Sequence, residues 1–315
     1  MELLLLSNST LPGEPFFQWP QPHLVPFLQG KKRIAFVPFA ATEDYQDTYV
    51  ERMAGVFGAL GCETIGLHRE SDPAAVLDTC DTVAIGGGNS FLLLRSLYRT
   101  GLIKSIADRV KDGMPFLGWS AGSNVTCPTI MTTNDMPIVE PPSLKAMHLV
   151  PFQINPHYTE ATIPGHGGES RDQRIAEYLA LNPRMDVVGL REGSLLHVRD
   201  GQITLRGKDM KLFRSGAEAE VIAEGTVSQA DWPAWWPSPA ETADARAYVM
   251  SQRSADGPYA FTATGRTSAE STTAASALLR DYAAAGANWW LEWVDDAPGS
   301  YEQTLRAIAR GAPQV

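Results

Sequence analysis

The 315-residue sequence has little cysteine, little basic charge and no long apolar run. Cys62, Cys80 and Cys127 are its only cysteines, and their spacing matches no CxxC or metal pattern. That argues against a disulfide framework and a thiolate metal site. It fits reduced, buried thiols in a cytoplasmic protein. Lysine and arginine total 26 against 36 acids, a formal net charge of −10. Nucleic-acid backbones are met by basic surfaces, so nucleic acid is not the expected partner. An acidic small substrate remains compatible, because one local arginine outweighs a diffuse negative field. No apolar run approaches the roughly 20 residues of a membrane helix, so no membrane partner is expected. The apolar start, Met-Glu-Leu-Leu-Leu-Leu, is too short for a signal segment and lacks a basic beginning. Asn8, Ser9 and Pro12-Gly13 follow at once, so it reads as a buried first strand.

What is present is ordinary core-forming material, 44% hydrophobic and 20% charged. Short apolar runs at 3–6, 33–38, 64–67, 82–85 and 115–118 read as strands. Residues 44–60, 73–78, 90–99 and 102–111 read as helices between them. Such alternation implies βαβ units, hence an α/β fold with a doubly wound, mostly parallel sheet. Ligands in such sheets sit beyond the carboxyl ends of the strands. Two segments fall at such ends: Gly86-Gly87-Gly88-Asn89 and Ser120-Ala121-Gly122. Composition shifts near residue 225. Residues 226–315 hold six of the eight tryptophans, no lysine, and ten acids against six arginines. Within them, 232–239 reads as a turn-rich linker and 271–286 as an Ala-rich helix.

Gly118-Trp119-Ser120-Ala121-Gly122 fits G-x-S-x-G, and an apolar run precedes it directly. A serine on a sharp strand-to-helix turn has an exposed hydroxyl, and the next N–H, that of Ala121, faces a developing oxyanion. The helix start is expected to add a favourable partial charge. Of six histidines, His157 lies where Gln153-Ile154-Asn155-Pro156 turns from strand to loop, which aims an imidazole at the sheet edge. His23 and His68 precede the nucleophile in loop or surface positions. His148 and His197 flank apolar runs, and His166 sits in a Gly-rich loop. The acid that would orient the imidazole is either Asp135, in Thr-Thr-Asn-Asp-Met-Pro, or Glu192, in Leu-Arg-Glu-Gly. The sequence does not choose between them.

Taken together, these segments resemble the peptidase E family of serine peptidases, the α-aspartyl dipeptidases. The likeness runs from Met-Glu-Leu-Leu-Leu-Leu-Ser-Asn-Ser-Thr-Leu-Pro-Gly through Ile85-Gly86-Gly87-Gly88-Asn89, the Gly118–Gly122 elbow and Thr132–Val139. It continues to Gln153-Ile154-Asn155-Pro156-His157 and Gly193, covering about residues 1–225. The resemblance implies a fold like the class I glutamine amidotransferases, with serine replacing their cysteine. It implies hydrolysis of Asp-X dipeptides with no metal and no cofactor. By motif, Ser120 is then the nucleophile and His157 its base, with Asp135 and Glu192 both in matching positions for the acid. Gly88 and Ala121 supply the oxyanion-hole N–H groups. Asn89 and Arg171 are assigned to the substrate, the arginine meeting the aspartate carboxylate.

The chain runs ninety residues past the family's usual end. Gly257-Pro258-Tyr259, Thr264-Gly265-Arg266-Thr267 and the stretch from Tyr282 to Glu292 resemble the C-terminal end of luciferase-like flavin-dependent oxidoreductases. A barrel of that kind takes roughly 250 residues, so 226–315 is expected to form an appended lobe rather than a flavin barrel. Its tryptophans suit packing on the hydrolase or on a partner, including self-association. Two other readings stand beside the dipeptidase. One is a related hydrolase of another aspartyl compound, cyanophycin-like or β-linked. The other is a flavin-associated or scaffolding protein.

Overall fold

Four consecutive leucines suit only a strand covered on both faces. In the computed structural model, strand β1 (Glu2–Leu6) lies inside a sheet with Leu3, Leu4, Leu5 and Leu6 at most 2% exposed. Each such leucine contributes about 1.5–3 kcal/mol through burial. The structure describes residues 1–161, 167–199 and 202–227, together with the backbone of 262–265 and 289–292. The chain divides into two compact units, Met1–Pro233 and Ala234–Val315.

In the first unit, β1 leads through α1 (Gln21–Phe27) to β2 (Arg33–Val37), then through α2 (Gln46–Gly58) to β3 (Glu63–Gly66). Next, α3 (Pro73–Leu77) precedes β4 (Thr82–Ile85), and α4 (Ser90–Arg99) and α5 (Leu102–Lys111) precede β5 (Phe116–Trp119). These five strands are parallel, ordered β3-β2-β4-β5-β1. Past β1 the sheet continues with antiparallel strands β8 (Ser194–Arg199), β9 (Gln202–Gly207) and β12 (Gly225–Val227). The expected mostly parallel α/β sheet is therefore present, with an antiparallel wing. The helices follow ordinary rules. Helix α5 buries Leu102, Ile106 and Val110, a stripe at four-residue spacing, and Gly101 before it adopts φ 71°.

A second sheet has the order β11-β10-β7-β6, from β6 (Gln153–Tyr158), β7 (Val187–Arg191), β10 (Met210–Phe213) and β11 (Glu220–Ile222). Between β6 and β7 lies α7 (Arg171–Leu181), whose Ile175 and Leu179 cluster with Tyr158, Val187 and Phe213. Its start carries a reciprocal cap: Ser170 accepts the Gln173 N–H, and the Gln173 side chain accepts the Ser170 N–H. The β6–β7 register shifts between Asn155 and Tyr158. Pro156, which has no N–H to give a ladder, falls in that interruption.

In the second unit, β13 (Thr262–Gly265) and β14 (Trp289–Glu292) pair in parallel. The linker at 232–239, the helix at 271–286, Gly257-Pro258-Tyr259 and His166 lie outside the described residues. Cys62, Cys80 and Cys127 are free and buried. Among the described residues no helix is long and apolar enough to cross a membrane.

Candidate active site

Strand β5 lies between β1 and β4, so three strand ends meet at its carboxyl end. The chain leaves β5 at Ser120 in a sharp turn, φ 53° and ψ −115°, and enters α6 (Ala121–Asn124). The glycines of the elbow are required sterically. A Cβ on Gly118 would stand 2.6 Å from the Gly122 carbonyl oxygen, and one on Gly122 would collide with the Ile85 carbonyl oxygen. The turn is held from both sides. Ser120 N–H donates to Leu6 O at 3.1 Å, while Ser120 O accepts from Ser123 and Asn124 N–H at 3.0 and 2.9 Å. Helix α6 is a single turn. Few aligned peptides stand behind the serine, so individual N–H groups rather than the expected helix dipole act on it.

The glycine-rich turn after β4 lies against this elbow. A Cβ on Gly87 would be 3.0 Å from the Ser120 Cβ, and Gly88 adopts φ 142°, where an added Cβ would collide with the Ala40 carbonyl oxygen. Buried Trp119 supports the turn from below. Its Nε1–H donates to the Tyr49 hydroxyl at 2.9 Å, and that hydroxyl donates to Gly87 O at 3.3 Å. Burial raises the Tyr49 pKa, so the hydroxyl stays protonated as a donor. Among the described residues neither Gly88 nor Ala121 N–H has an acceptor in the chain.

His157 stands at the register interruption of β6, with φ 53°. Its Nε2 is 2.8 Å from Ser120 Oγ, and its Nδ1 is 2.7 Å from Glu192 Oε1. A carboxylate only accepts, so Nδ1 carries the proton and Nε2 accepts from the serine hydroxyl. Glu192 occupies the turn between β7 and β8, where Gly193 takes φ 81°.

Asp135 is elsewhere. Its Oδ2 accepts Ser90 N–H at 2.7 Å and the Thr133 hydroxyl at 3.0 Å, at the amino end of α4. It has no hydrogen bond to His157. The two acids left open by the sequence are thus separated by geometry. Asn89 is engaged within the chain. Its Oδ1 caps α4 by accepting Phe91 and Leu92 N–H, and its Nδ2 donates to Met136 O at 2.8 Å. Arg171 opens α7 and donates to Asn134 Oδ1. Among the described residues it forms no ion pair. Burial and nearby Arg174 pull its pKa below the ordinary guanidinium value, opposed by Asp135. An arginine remains charged under such shifts.

Sequence reasoning missed the residues that hold these groups. Leu6, Ser7 and Asn8, consecutive at the end of β1, each fix one part of the site. Leu6 O takes Ser120 N–H. Ser7 Oγ accepts His157 N–H at 2.9 Å and donates to Leu190 O at 2.7 Å. Asn8 Oδ1 accepts Gly193 N–H at 3.0 Å, beside Glu192. Asn134 joins Arg171 to β6, donating to Pro156 O at 2.6 Å and accepting from Asn155 Nδ2 at 2.7 Å. The polar Ser-Asn after an apolar strand was the only local signal. A cavity of about 580 Å³ lies apart, lined by Glu43, Asp47, His68, Arg69 and Arg99 among others, and it includes none of these residues. Among the described residues no group of three or more His, Cys, Asp or Glu side chains could hold a metal ion.

The model of peptidase family S51 matches residues 3–206. Peptidase E of Salmonella newport (strain SL254) is 45% identical over 226 residues, 71% of this chain and 99% of the relative. Peptidase E of Salmonella gallinarum (strain 287/91 / NCTC 13346) is 44% identical over 234 residues, 74% of this chain and all of the relative. A Listeria monocytogenes EGD-e structure assigned as a peptidase E aligns with TM-score 0.50 and 26% identity, covering 65% of this chain and 98% of that one. A peptidase from an acI-B1 Actinobacterium shares the fold at TM-score 0.53 and 16% identity, covering 72% of this chain and 96% of that one. With a strained serine elbow, a histidine on its hydroxyl and a family match over most of its length, this chain belongs to peptidase family S51.

Proposed function

We propose that the protein is a serine exopeptidase that hydrolyses Asp-X dipeptides through an acyl-enzyme on Ser120. The single observation that carries this is the hydrogen-bonded line Ser120 Oγ, His157, Glu192, at 2.8 and 2.7 Å. His157 Nε2 takes the hydroxyl proton as Ser120 Oγ attacks the aspartyl carbonyl carbon. Glu192 holds the Nδ1–H tautomer and balances the imidazolium that forms. The tetrahedral oxyanion sits between Gly88 and Ala121 N–H. Collapse passes the proton from His157 to the leaving amine of X and leaves an aspartyl ester on Ser120. A water, deprotonated by His157, then attacks that ester, and aspartate leaves as Ser120 regains its proton. Arg171 takes the substrate side-chain carboxylate in its fork. Asp135 Oδ1 has no described partner and stands available to the substrate ammonium.

The three free, buried thiols suit a reducing compartment, so we place the protein in the cytoplasm. Its partner is a small dipeptide, and self-association falls to the tryptophan-bearing second unit. The test is a panel of Asp-X, Glu-X, Asn-X and β-Asp-X dipeptides with free and blocked termini. Turnover confined to Asp-X with a free amino group supports the reading. Preference for β-Asp-X would move it to a β-aspartyl hydrolase, and no turnover on any member would remove it.

A further inference from the structure

His157, Glu192 and Arg171 each have a chain neighbour, Tyr158, Arg191 and Asp172, in one ionic network behind the site. Tyr158 pairs in register with Arg191 across β6 and β7, so their side chains share a face, while His157 is turned to Ser120 and Glu192. Lys211 of β10 lies at the centre, its side chain only 15% exposed. Its Nζ donates to Asp172 Oδ2 at 2.7 Å and to Glu160 Oε1 at 3.0 Å. The Tyr158 hydroxyl donates to Asp172 Oδ1 at 2.5 Å. Arg191 NH1 pairs with Glu160 Oε2 at 2.9 Å, and its guanidinium stands 5.3 Å from the Tyr158 ring centroid.

We propose that Lys211 is a positioning residue for substrate recognition, which pins the first turn of α7, and with it Arg171, to the sheet that carries His157. The inference rests on the reading of Arg171 as the binder of the substrate carboxylate. Asp172 is the second residue of α7 and follows Arg171 directly. Its two oxygens are held by groups on two different strands, Tyr158 on β6 and Lys211 on β10. That fixes the helix start in position along the sheet as well as away from it. Arg171 has one further tether, to Asn134, which itself hangs on β6. The tethers of Arg171 thus lead to β6, the strand bearing the base, and through Asp172 and Lys211 to β10 of the same sheet. The cations Lys211 and Arg191 are largely covered, at 15 and 19% exposed, while Asp172 and Glu160 reach the surface; a network joined at covered cations holds geometry better than an isolated exposed pair. Removing the ammonium leaves Asp172 and Glu160 with fewer cations and frees the α7 start to shift. The Ser120–His157–Glu192 line does not pass through Lys211 and stays in place.

The experiment compares the full-length protein with Lys211→Met, Lys211→Arg and Asp172→Asn. It measures KM and kcat on an Asp-X dipeptide, and the rate at which a fluorophosphonate labels Ser120. The label needs the activated serine but no aspartate recognition. Lys211→Met and Asp172→Asn are expected to raise KM about tenfold or more, as loss of a charged hydrogen bond would. Labelling and kcat should stay within about threefold, and Lys211→Arg should restore KM. Unchanged KM, a parallel fall in labelling, or no recovery with arginine would overturn the proposal. If Lys211→Met does not fold, Asp172→Asn removes the same ion pair, and its KM alone supports or overturns the proposal. A wild-type chain that labels at Ser120 yet cleaves no Asp-X dipeptide would instead overturn the functional reading.

Discussion

Ser120 and His157 share a backbone state that side chains rarely adopt, φ 53° in both. Such a state costs about 1–3 kcal/mol per residue and persists only where neighbours over-determine it. For Ser120 those neighbours are Leu6 O, Ser123 N–H and Asn124 N–H, and for His157 the partner is Ser7 Oγ. Ser7→Ala leaves the part-buried His157 N–H without an acceptor. We expect a stability loss of about 1–3 kcal/mol in chemical denaturation. Because His157 loses its hold while Arg171 does not, kcat should fall more than KM rises. Gly122→Ala drives a Cβ into the Ile85 carbonyl and should prevent folding of the elbow, read as loss of soluble expression or a large drop in Tm. The two acids separate by kinetics. Glu192→Gln should lower kcat by a factor on the order of 10⁴, since the imidazole loses its orienting charge. Asp135→Asn should act on KM, because Asp135 binds the α4 start and not His157. A large kcat loss for Asp135→Asn with little for Glu192→Gln would reverse the roles.

Among elements, the parallel half of the sheet was legible in the sequence. Apart from the edge strand β3, its strands are buried apolar runs, and its longer helices bury stripes at helical spacing, so the sequence reading of 82–85, 90–99 and 102–111 has the boundaries of the structure. Helix α1 carries no helix-like pattern in the sequence: it is short and holds Pro22 and Pro26, and Pro22 falls in the first turn, where no N–H is needed. Of the second sheet, only the strand end at Gln153–Pro156 and the apolar run before Glu192 show in the sequence. Its strands have three to six residues, and β6 is broken in register at Pro156. The serine and histidine carried local motifs, but the choice of acid depends on contacts across β6 and β7. The service of Ser7 and Asn8 depends on pairs separated by 150 and 185 residues, which no window reveals. Strand starts offer a separate test. Asp81 accepts N–H bonds from Lys32 and Arg33 at 2.8 and 3.0 Å, and these hold its carboxyl below the ordinary carboxylate range. A depressed folded pKa gives stability that is present above the unfolded pKa and lost as pH falls through the folded one. Asp81→Asn should therefore lower Tm at neutral pH and flatten its acid dependence. Equal acid slopes for both proteins would contradict this.

At the scale of the molecule, the groups proposed for the reaction all fall within residues 1–233, the first compact unit. The sequence placed the end of that body near 225. The structure shows Gly225–Val227 as the edge strand β12 on β9, so a cut there strips the sheet. A chain ending at Pro233 should keep Asp-X hydrolysis per folded molecule within about threefold of full length. It should also change size class on exclusion chromatography if the tryptophan-rich unit mediates association. Full solubility with no activity would mean that residues 234–315 complete the site. The central claim, an acyl-enzyme on Ser120 with aspartyl specificity, is tested most directly by mapping a fluorophosphonate adduct by mass spectrometry, with and without competing Asp-X dipeptide. The account predicts one adduct, on Ser120, slowed by Asp-X but not by Ala-X and absent from His157→Ala. An adduct on another residue, or labelling of Ser120 indifferent to Asp-X, would contradict it.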